Sequence, residues 1–469
     1  MDFTRYSLRH AGPIFSLNFA GQPVLVVGNA SMAADLMERR SAIYSDRPRF
    51  IMATEILTGG MNLAFARWGD RWKRMRKAAN IGLSNAASQE YTPMQEKEAI
   101  HLLHGLMDGK STVDAQIRRT SASTVLSAVY AYPLLESTSD PCVVQVESYV
   151  DRMLKAALPG NYFVDIFPWM MHIPQWIPGA RWKREGFEWF KKDTDMFQQL
   201  VEDTHMEQAS KPHFRGKLLE NAAEHDLDPV ETAWLAGTMF GAGTEALAAT
   251  LSFFILAMVL YPSIQHKLRD EIDAVVGAPS GEFDNTKANF PTFQDTKNMP
   301  YLHAVIKEVM RWRPMGPMGV PHRSVQDDVY DGHFISAGTL IISNVWAMHQ
   351  DSSVYQNPEQ FIPERFLAED NITAVQFPDT KGLGHHGSIY RMCIGYHVAN
   401  NSLAINAANI IWAFQICKAK DPLGNEITPD PDALLDEGLA VRPMPFNCTM
   451  TPRSPSVAEM ISVAARRVF

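Results

Sequence analysis

The 469-residue chain carries a net charge of −9, with 20% charged and 46% hydrophobic residues. Such a chain is globular with a large core, and the negative net charge without a basic tail argues against nucleic acid as a partner. Its four cysteines, Cys142, Cys393, Cys417 and Cys448, show neither paired spacing nor a C-x-x-C. That argues against a disulfide framework or zinc site and for a reducing compartment.

In chain order, residues 1–10 are polar and read as neither signal peptide nor membrane anchor. Partial alternation over 14–27 predicts two short strands around Gly21. Ser31 is the expected cap of a helix reaching Arg40. The turn Tyr44-Ser45-Asp46-Arg47-Pro48 leads into a loop-rich apolar stretch ending near Phe65. In the basic run 67–77, Trp72 and Arg76 are four apart and share one helical face. An indole N–H beside a guanidinium suits a carboxylate. A solvated basic face is the alternative, and the surplus cations, Lys73 and Arg74 among them, suit an acidic electron donor.

Residues 92–230 read as mostly helical. Within them, 159–178 is rich in Pro, Trp, Phe and Met, as in a membrane-dipping or substrate-access segment, with core packing as the alternative. Residues 233–261 hold one charge, Glu245, and are long enough to cross a bilayer. The acid in mid-span, with Gly237, Gly241 and Gly243 before it, favours a buried central helix of about 43 Å. An amphipathic helix over 263–276 and a polar loop to about 298 follow.

A helix over 301–313 carries Glu308 and Arg311, spaced to pair. Residues 314–321 are expected to be extended and hold Met315, Met318 and Val320, with His322 next and a strand at 339–343. Arg365, in Pro363-Glu364-Arg365-Phe366, allows a Glu-Arg-Arg network. In Arg391-Met392-Cys393-Ile394-Gly395, the cysteine follows an arginine by two and precedes a glycine by two. A thiolate is a strong ligand for haem iron, given a positive pocket and a loose turn that lets backbone amides reach the sulfur. A buried apolar cysteine is the plainer reading of that motif alone. No repeat or linker interrupts the chain, so a single domain over 1–469 is expected.

Together, Trp72-x-x-x-Arg76, Ala242-Gly243-Thr244-Glu245, Glu308-x-x-Arg311, Pro363-Glu364-Arg365-Phe366 and Arg391-x-Cys393-x-Gly395 resemble a cytochrome P450, a haem-thiolate monooxygenase, in order and spacing. Residues 44–48 and 397–403 are similar to the fungal microsomal branch, particularly enzymes of basidiomycete secondary metabolism. The resemblance implies a mainly α fold, a large helical domain with a small β-rich lobe, and haem b between the central helix and the helix after Cys393. It implies Cys393 as axial ligand beside Gly395, with Trp72, Arg76, His322 and Arg391 as haem contacts. Glu308, Arg311 and Arg365 are the implied structural triad.

The resemblance further implies electrons from an NADPH-cytochrome P450 reductase, O2 as co-substrate, and one oxygen atom inserted into a small, largely apolar substrate, a fungal secondary metabolite or xenobiotic. Phe240, Ala242, Met315, Met318, Val320 and Val441 are the expected pocket wall, with core packing the alternative for each. Family members sit on the cytosolic face of the endoplasmic reticulum; without an anchor this chain is expected to be soluble or peripherally bound. Three departures from the family pattern stand out. His386 and Ile389 replace a phenylalanine and a glycine of the haem loop. Ala246 follows Glu245 where an alcohol is usual, leaving Thr244 and Thr250 as substitutes through a longer water chain. The family's N-terminal membrane helix is not expected in residues 1–10. Two alternatives therefore stay open: a haem-thiolate isomerase, dehydratase or peroxide-using enzyme, and a decayed member with impaired haem binding.

Overall fold

The computed structural model describes residues 12–19, 21–137, 139–158, 160–202, 212–279, 290–367, 393–436 and 438–468. Strands β1 (Ile14–Phe19) and β2 (Gln22–Val27) pair antiparallel around Gly21, whose φ of +90° a side chain would resist. The helix that follows is capped by Asn29, not Ser31. The Asn29 side chain accepts from the amides of Ser31 and Met32 at 3.0 and 3.1 Å. An amide at that position satisfies orphan donors two and three residues ahead, which Ser31, already inside the first turn, cannot do. The helix is short, Ala30–Ala34, and widens into a π-turn at Asp35–Arg39.

The helical body begins with α1 (Asp70–Leu83), α2 (Thr92–Asp108), α3 (Val113–Tyr130), α4 (Pro141–Ala157) and α5 (Arg181–Glu202). Then come α6 (Pro229–Leu260), α7 (Pro262–Val276) and α8 (Pro300–Trp312). After α8 the chain turns at Gly316–Gly319, where the Gly319 amide donates to Gly316 O at 3.1 Å with φ +58°, so the expected extended run is a turn. Strands β3 (His322–Arg323) and β4 (Leu340–Ser343) complete a sheet in the order β1-β2-β4-β3. In it β2 and β4 are parallel, and His322 lies opposite Ile341. Last come α9 (Tyr396–Ala413), β5 (Phe414–Lys420), β6 (Leu434–Asp436), β7 (Val441–Pro443), β8 (Cys448–Pro452) and α10 (Pro455–Val468).

The organising element is α6, which starts four residues before the expected position. Asp228 accepts from the Glu231 amide at 2.7 Å while Glu231 reaches back to the Asp228 amide, a capping box, and Pro229 takes the first turn. Its 32 residues span about 48 Å. It is apolar on every side, which a helix in water does not tolerate unless it is covered. Helices α3, α4, α5, α8 and α9 supply that cover, so the one helix among the described residues long and apolar enough for a membrane is the core helix. The glycines permit the close approach: a Cβ on Gly237 would sit 2.4 Å from the Phe197 ring, and one on Gly241 2.9 Å from Val150.

Candidate functional site

One short strip of α6 escapes this cover. Ala242 is exposed, and Gly243, Glu245 and Ala246 are half-buried, in the middle of an otherwise buried helix. Ala242 and Ala246 are four apart and share a face. Phe240 and Thr244 lie on the opposite face, toward Val143, Val146 and Val150 of α4. Phe240 is buried and meets the Tyr130 ring edge-on, with centroids 6.4 Å apart. Its expected place in a pocket wall is therefore corrected to core packing between α6, α3 and α4. Thr244 donates to Phe240 O at 3.0 Å and Thr250 to Ala246 O at 2.8 Å. Both hydroxyl protons are spent on the backbone one turn back.

Cys393 stands at the start of α9, whose cap is Gly395. The Gly395 and Tyr396 amides lie beside the thiol, and the Tyr396 amide donates to Cys393 O at 3.4 Å. A Cβ on Gly395 would meet Sγ at 3.9 Å, so the glycine keeps that approach open. Burial pushes the Cys393 thiol up, while the two amides and the Arg76 guanidinium pull it down. The residue is nonetheless exposed. Helix α9 packs on α6, so the bare strip at Ala242 and the thiol belong to neighbouring elements.

Arg76, half-buried on α1, is pushed down by burial and drawn up by Cys393. Trp72, one turn earlier, is buried, and its ring lies tilted by 35° against Trp68 with centroids 4.8 Å apart. His322 is buried, and its Nδ1 donates to Tyr44 O at 2.7 Å, which fixes the ring. Arg391, His386 and Ile389 lie outside the described residues. Met315, Met318 and Val320 are half-buried, and Val441 is buried, its amide donating to Met315 O at 2.7 Å. That bond ties the β6–β7 turn to the Met-rich segment.

Sequence reasoning missed the clamp that places these groups. Asp46 accepts from Arg67 Nη2 at 2.9 Å and from the Trp68 amide at 2.8 Å. Arg47 donates to Ala64 O at 3.0 Å and to Pro321 O at 2.9 Å. The turn at 44–48 thus fixes both the approach to α1 and the segment before His322. It also missed Arg118 on α3, whose Nη1 lies 3.7 Å from Glu245 and 3.6 Å from Glu147. Burial raises the Glu147 carboxyl and Arg118 opposes it. The local partner of Arg118, Asp114, four residues back on α3 at 3.5 Å, reads as an ordinary helical pair and hides the partners on α4 and α6.

The cation surplus on α1 is smaller than its sequence implies. Arg71 and Arg74 both reach Glu231, at 2.9 and 3.1 Å, joining α1 to the capping box of α6. Lys77 donates to Glu224 O at 2.7 Å. Lys73 remains on the surface, 3.5 Å from Asp70 and over the Trp68 ring. Arg74 is therefore corrected from steering charge to internal tie.

The Glu308-Arg311-Arg365 cluster closes in the core. Arg311 Nε and Nη2 each bond Glu308 at 2.7 Å, and Arg365 Nε reaches Glu308 Oε1 at 3.3 Å. Arg311 also donates to His349 O, Pro358 O and Gln360 O. These bonds use all five guanidinium hydrogens.

The Cys393 thiol thus has the Arg76 guanidinium of α1 within electrostatic reach. The chain belongs to the cytochrome P450 family, whose model matches residues 2–442. It is 46% identical to cytochrome P450 monooxygenase 58 of Postia placenta over 96% of this chain and 84% of that protein. It is 42% identical to an Armillaria gallica cytochrome P450 monooxygenase over 97% of this chain and 86% of that one. A zebra fish cytochrome P450 solved with progesterone shares the fold, at TM-score 0.76 and 24% identity, over 96% of this chain and 98% of its own. The chain is accordingly an oxidoreductase of the monooxygenase type, and its family holds haem through a cysteine thiolate.

Proposed function

We propose that the protein is a fungal monooxygenase of a small, largely apolar substrate, with Cys393 as haem ligand and electrons from an NADPH-dependent reductase. The observation that carries it is the Cys393 thiol at the start of α9, beside Gly395, whose missing Cβ would otherwise stand 3.9 Å from Sγ. Bound haem supplies O2 activation and the insertion of one oxygen atom. The residues around it orient and insulate. Trp72, Arg76 and Arg391 offer N–H donors to carboxylates, His322 does so only as an imidazolium because its Nδ1 hydrogen is held by Tyr44 O, and Ala242, Met315, Met318, Val320 and Val441 supply an apolar wall that excludes water. The reduced, CO-bound spectrum tests the reading: a strongly red-shifted Soret band supports it, and an unshifted one removes it.

A second reading, a peroxide-using, isomerase or dehydratase enzyme, is favoured by Ala246 and by the back-bonded Thr244 and Thr250. Proton delivery works best with the donor in hydrogen-bond reach or one water away. With no free hydroxyl proton at 244, 246 or 250, wild type is expected to release much of its NADPH-derived reducing power as hydrogen peroxide. Ala246→Thr raises product per NADPH severalfold, at unchanged substrate affinity. Measuring NADPH, peroxide and product together checks this; a tightly coupled wild type that Ala246→Thr does not improve sinks it.

Electron transfer is steered by Lys73 in this proposal. Lys73→Glu slows reductase-driven turnover, more at low salt, and spares peroxide-driven turnover. Arg74→Glu sets a carboxylate against Glu231, lowers stability by about 1–3 kcal/mol, and slows both reactions alike. Equal slowing of both reactions by Lys73→Glu would leave the lysine without a docking role.

Membrane contact is assigned to the segment between α4 and α5. Phe163, Phe167, Trp169 and Trp176 are exposed there, the last by 79%. Lys183 holds the loop from below, donating to Ile173 O at 2.9 Å. Exposed aromatics on a fixed loop suit the interfacial depth of the endoplasmic reticulum surface, where the family commonly resides. Substituting Trp169 and Trp176 by Ser is expected to weaken vesicle binding roughly tenfold in a sedimentation assay. Unchanged binding assigns the contact elsewhere.

A further inference from the structure

Arg118 stands where α3, α4 and α6 meet, and it faces a carboxylate on each of them. Its Nε lies 3.5 Å from Asp114 on its own helix, and its Nη1 lies 3.6 Å from Glu147 and 3.7 Å from Glu245. Both Nη1 separations exceed a hydrogen bond's, so the guanidinium attracts the two acids without locking either. Arg442 of β7 adds a second cation 3.7 Å from Asp114, and Asp151 faces Glu147 from one turn further along α4.

Two further observations give the cluster a direction and a path. Exposure falls along it, with the Glu147 side chain at 37%, Arg118 at 22% and Glu245 at 16%. Glu147 is thus the solvent end and Glu245 the interior end. The two acids also line one cavity between α4 and α6, walled elsewhere by apolar groups such as Val143, Val146 and Phe240. Its volume is about 10 Å³, the space of about one water, and the two carboxylates give that water polar partners. A single water is the longest link over which general-acid supply works well.

We infer that Glu147 supplies protons to Glu245 through one water in this cavity, with Arg118 as the positioning residue that holds both acids beside it. The inference rests on the monooxygenase reading, because reducing O2 consumes protons. A proton leaves the Glu147 carboxyl for the water, the water passes one of its own to Glu245, and solvent reprotonates Glu147. Arg118 keeps its proton throughout, since a guanidinium does not give it up, and its charge eases the ionised form of either acid. Glu245 then holds the proton one residue from Ala246, on the uncovered strip of α6. The alcohol is still lacking at 246, so this supply governs how fast O2 is reduced and not how well that reduction is coupled to product. Burial raises the Glu147 carboxyl, Arg118 and Arg442 oppose it, and Asp151 adds to it. A raised carboxyl keeps its proton where an ordinary one has lost it, and gives it up as pH climbs.

The test uses the haem-loaded full chain with one reductase throughout, and the reduced CO spectrum establishes that each variant holds haem. Wild type is expected to consume NADPH more slowly as pH rises through the Glu147 titration. Glu147→Gln slows consumption severalfold and flattens that profile. Asp151→Asn removes a like charge, so Glu147 loses its proton at lower pH and the alkaline limb moves down. Arg118→Ala moves the limb up and slows turnover, and Arg118→Lys, which keeps the charge, restores most of the rate. A purely structural cluster would not shift the limb in opposite directions. Infrared difference spectra of wild type against Glu147→Gln carry the C=O band of a protonated carboxyl that fades as pH rises, with or without haem. An unshifted Soret band in wild type removes the monooxygenase reading and the proton supply with it. With the Soret band shifted, a Glu147→Gln protein that keeps the wild-type rate and pH profile, or a difference spectrum without a titrating carboxyl band, overturns this inference alone.

Discussion

Cys393→Ser is expected to abolish the red-shifted Soret band of the reduced CO complex, and turnover with it, while leaving the fold in place. The two side chains are nearly the same size, and Cys393 is an exposed residue at the edge of α9 rather than a plug in a core. Folding stability of the haem-free protein should therefore change by less than about 1 kcal/mol. Ligation is the property lost, because an alcohol is a far weaker iron ligand than a thiolate. Serine leaves the bond from the Tyr396 amide to the residue-393 carbonyl in place, so the local backbone survives and the defect isolates the ligand. Cys142 and Cys448 serve as controls. Burial pushes the Cys142 thiol up to about 12 and the Cys448 thiol up to about 11, which keeps both protonated. Cys142→Ser and Cys448→Ser should keep the band. A Cys393→Ser protein that retains it shows that another group ligates iron.

How much of this was legible in the sequence depended on the range of the interactions. The core helix was legible because an all-round apolar run with one acid leaves few options. Its start was displaced only because Asp228-Pro229-Val230-Glu231, a capping signal, precedes the first strongly apolar residues. Glu308 and Arg311 were legible as a pair for the same local reason, being three apart on one helix. Phe240 was misplaced because an apolar residue beside Ala242 reads as pocket wall. Helical geometry turns it by about 160° to the other face. The α1 cations misled in the opposite sense, since their partner Glu231 lies far along the chain and no spacing reveals it. Arg118 and the Asp46–Arg47 clamp were illegible on the same ground: each joins elements distant in sequence, and only the fold brings them together. Helix α10 carried a readable signal in Val457, Met460, Ile461 and Ala465, which recur at helical spacing and are buried.

Glu308→Ala is the second large effect. Glu308 is fully buried and accepts from Arg311 twice, from Arg365, and from the Ile362 amide at 2.7 Å. Alanine would leave two guanidinium groups in the interior without a counter-charge. Such a loss costs about 3–5 kcal/mol, because the remaining charge keeps its desolvation penalty and loses its partner. Charge alone is not the whole of it. Arg311 also ties the carbonyls of His349, Pro358 and Gln360, and Arg365 ties Gln356 O at 2.9 Å. These bonds fix the stretch that precedes the cysteine loop, so releasing it should loosen haem as well as lower stability. Glu308→Gln separates the two contributions: it keeps an acceptor for Arg311 but removes the charge, and should fall between wild type and alanine. The measurements are the urea midpoint of each variant and the rate at which haem passes to apomyoglobin. Haem transfer should quicken in the order wild type, glutamine, alanine, and the midpoint should fall in the same order. If alanine lowers the midpoint while haem transfer stays at the wild-type rate, the cluster holds the core but not the approach to Cys393.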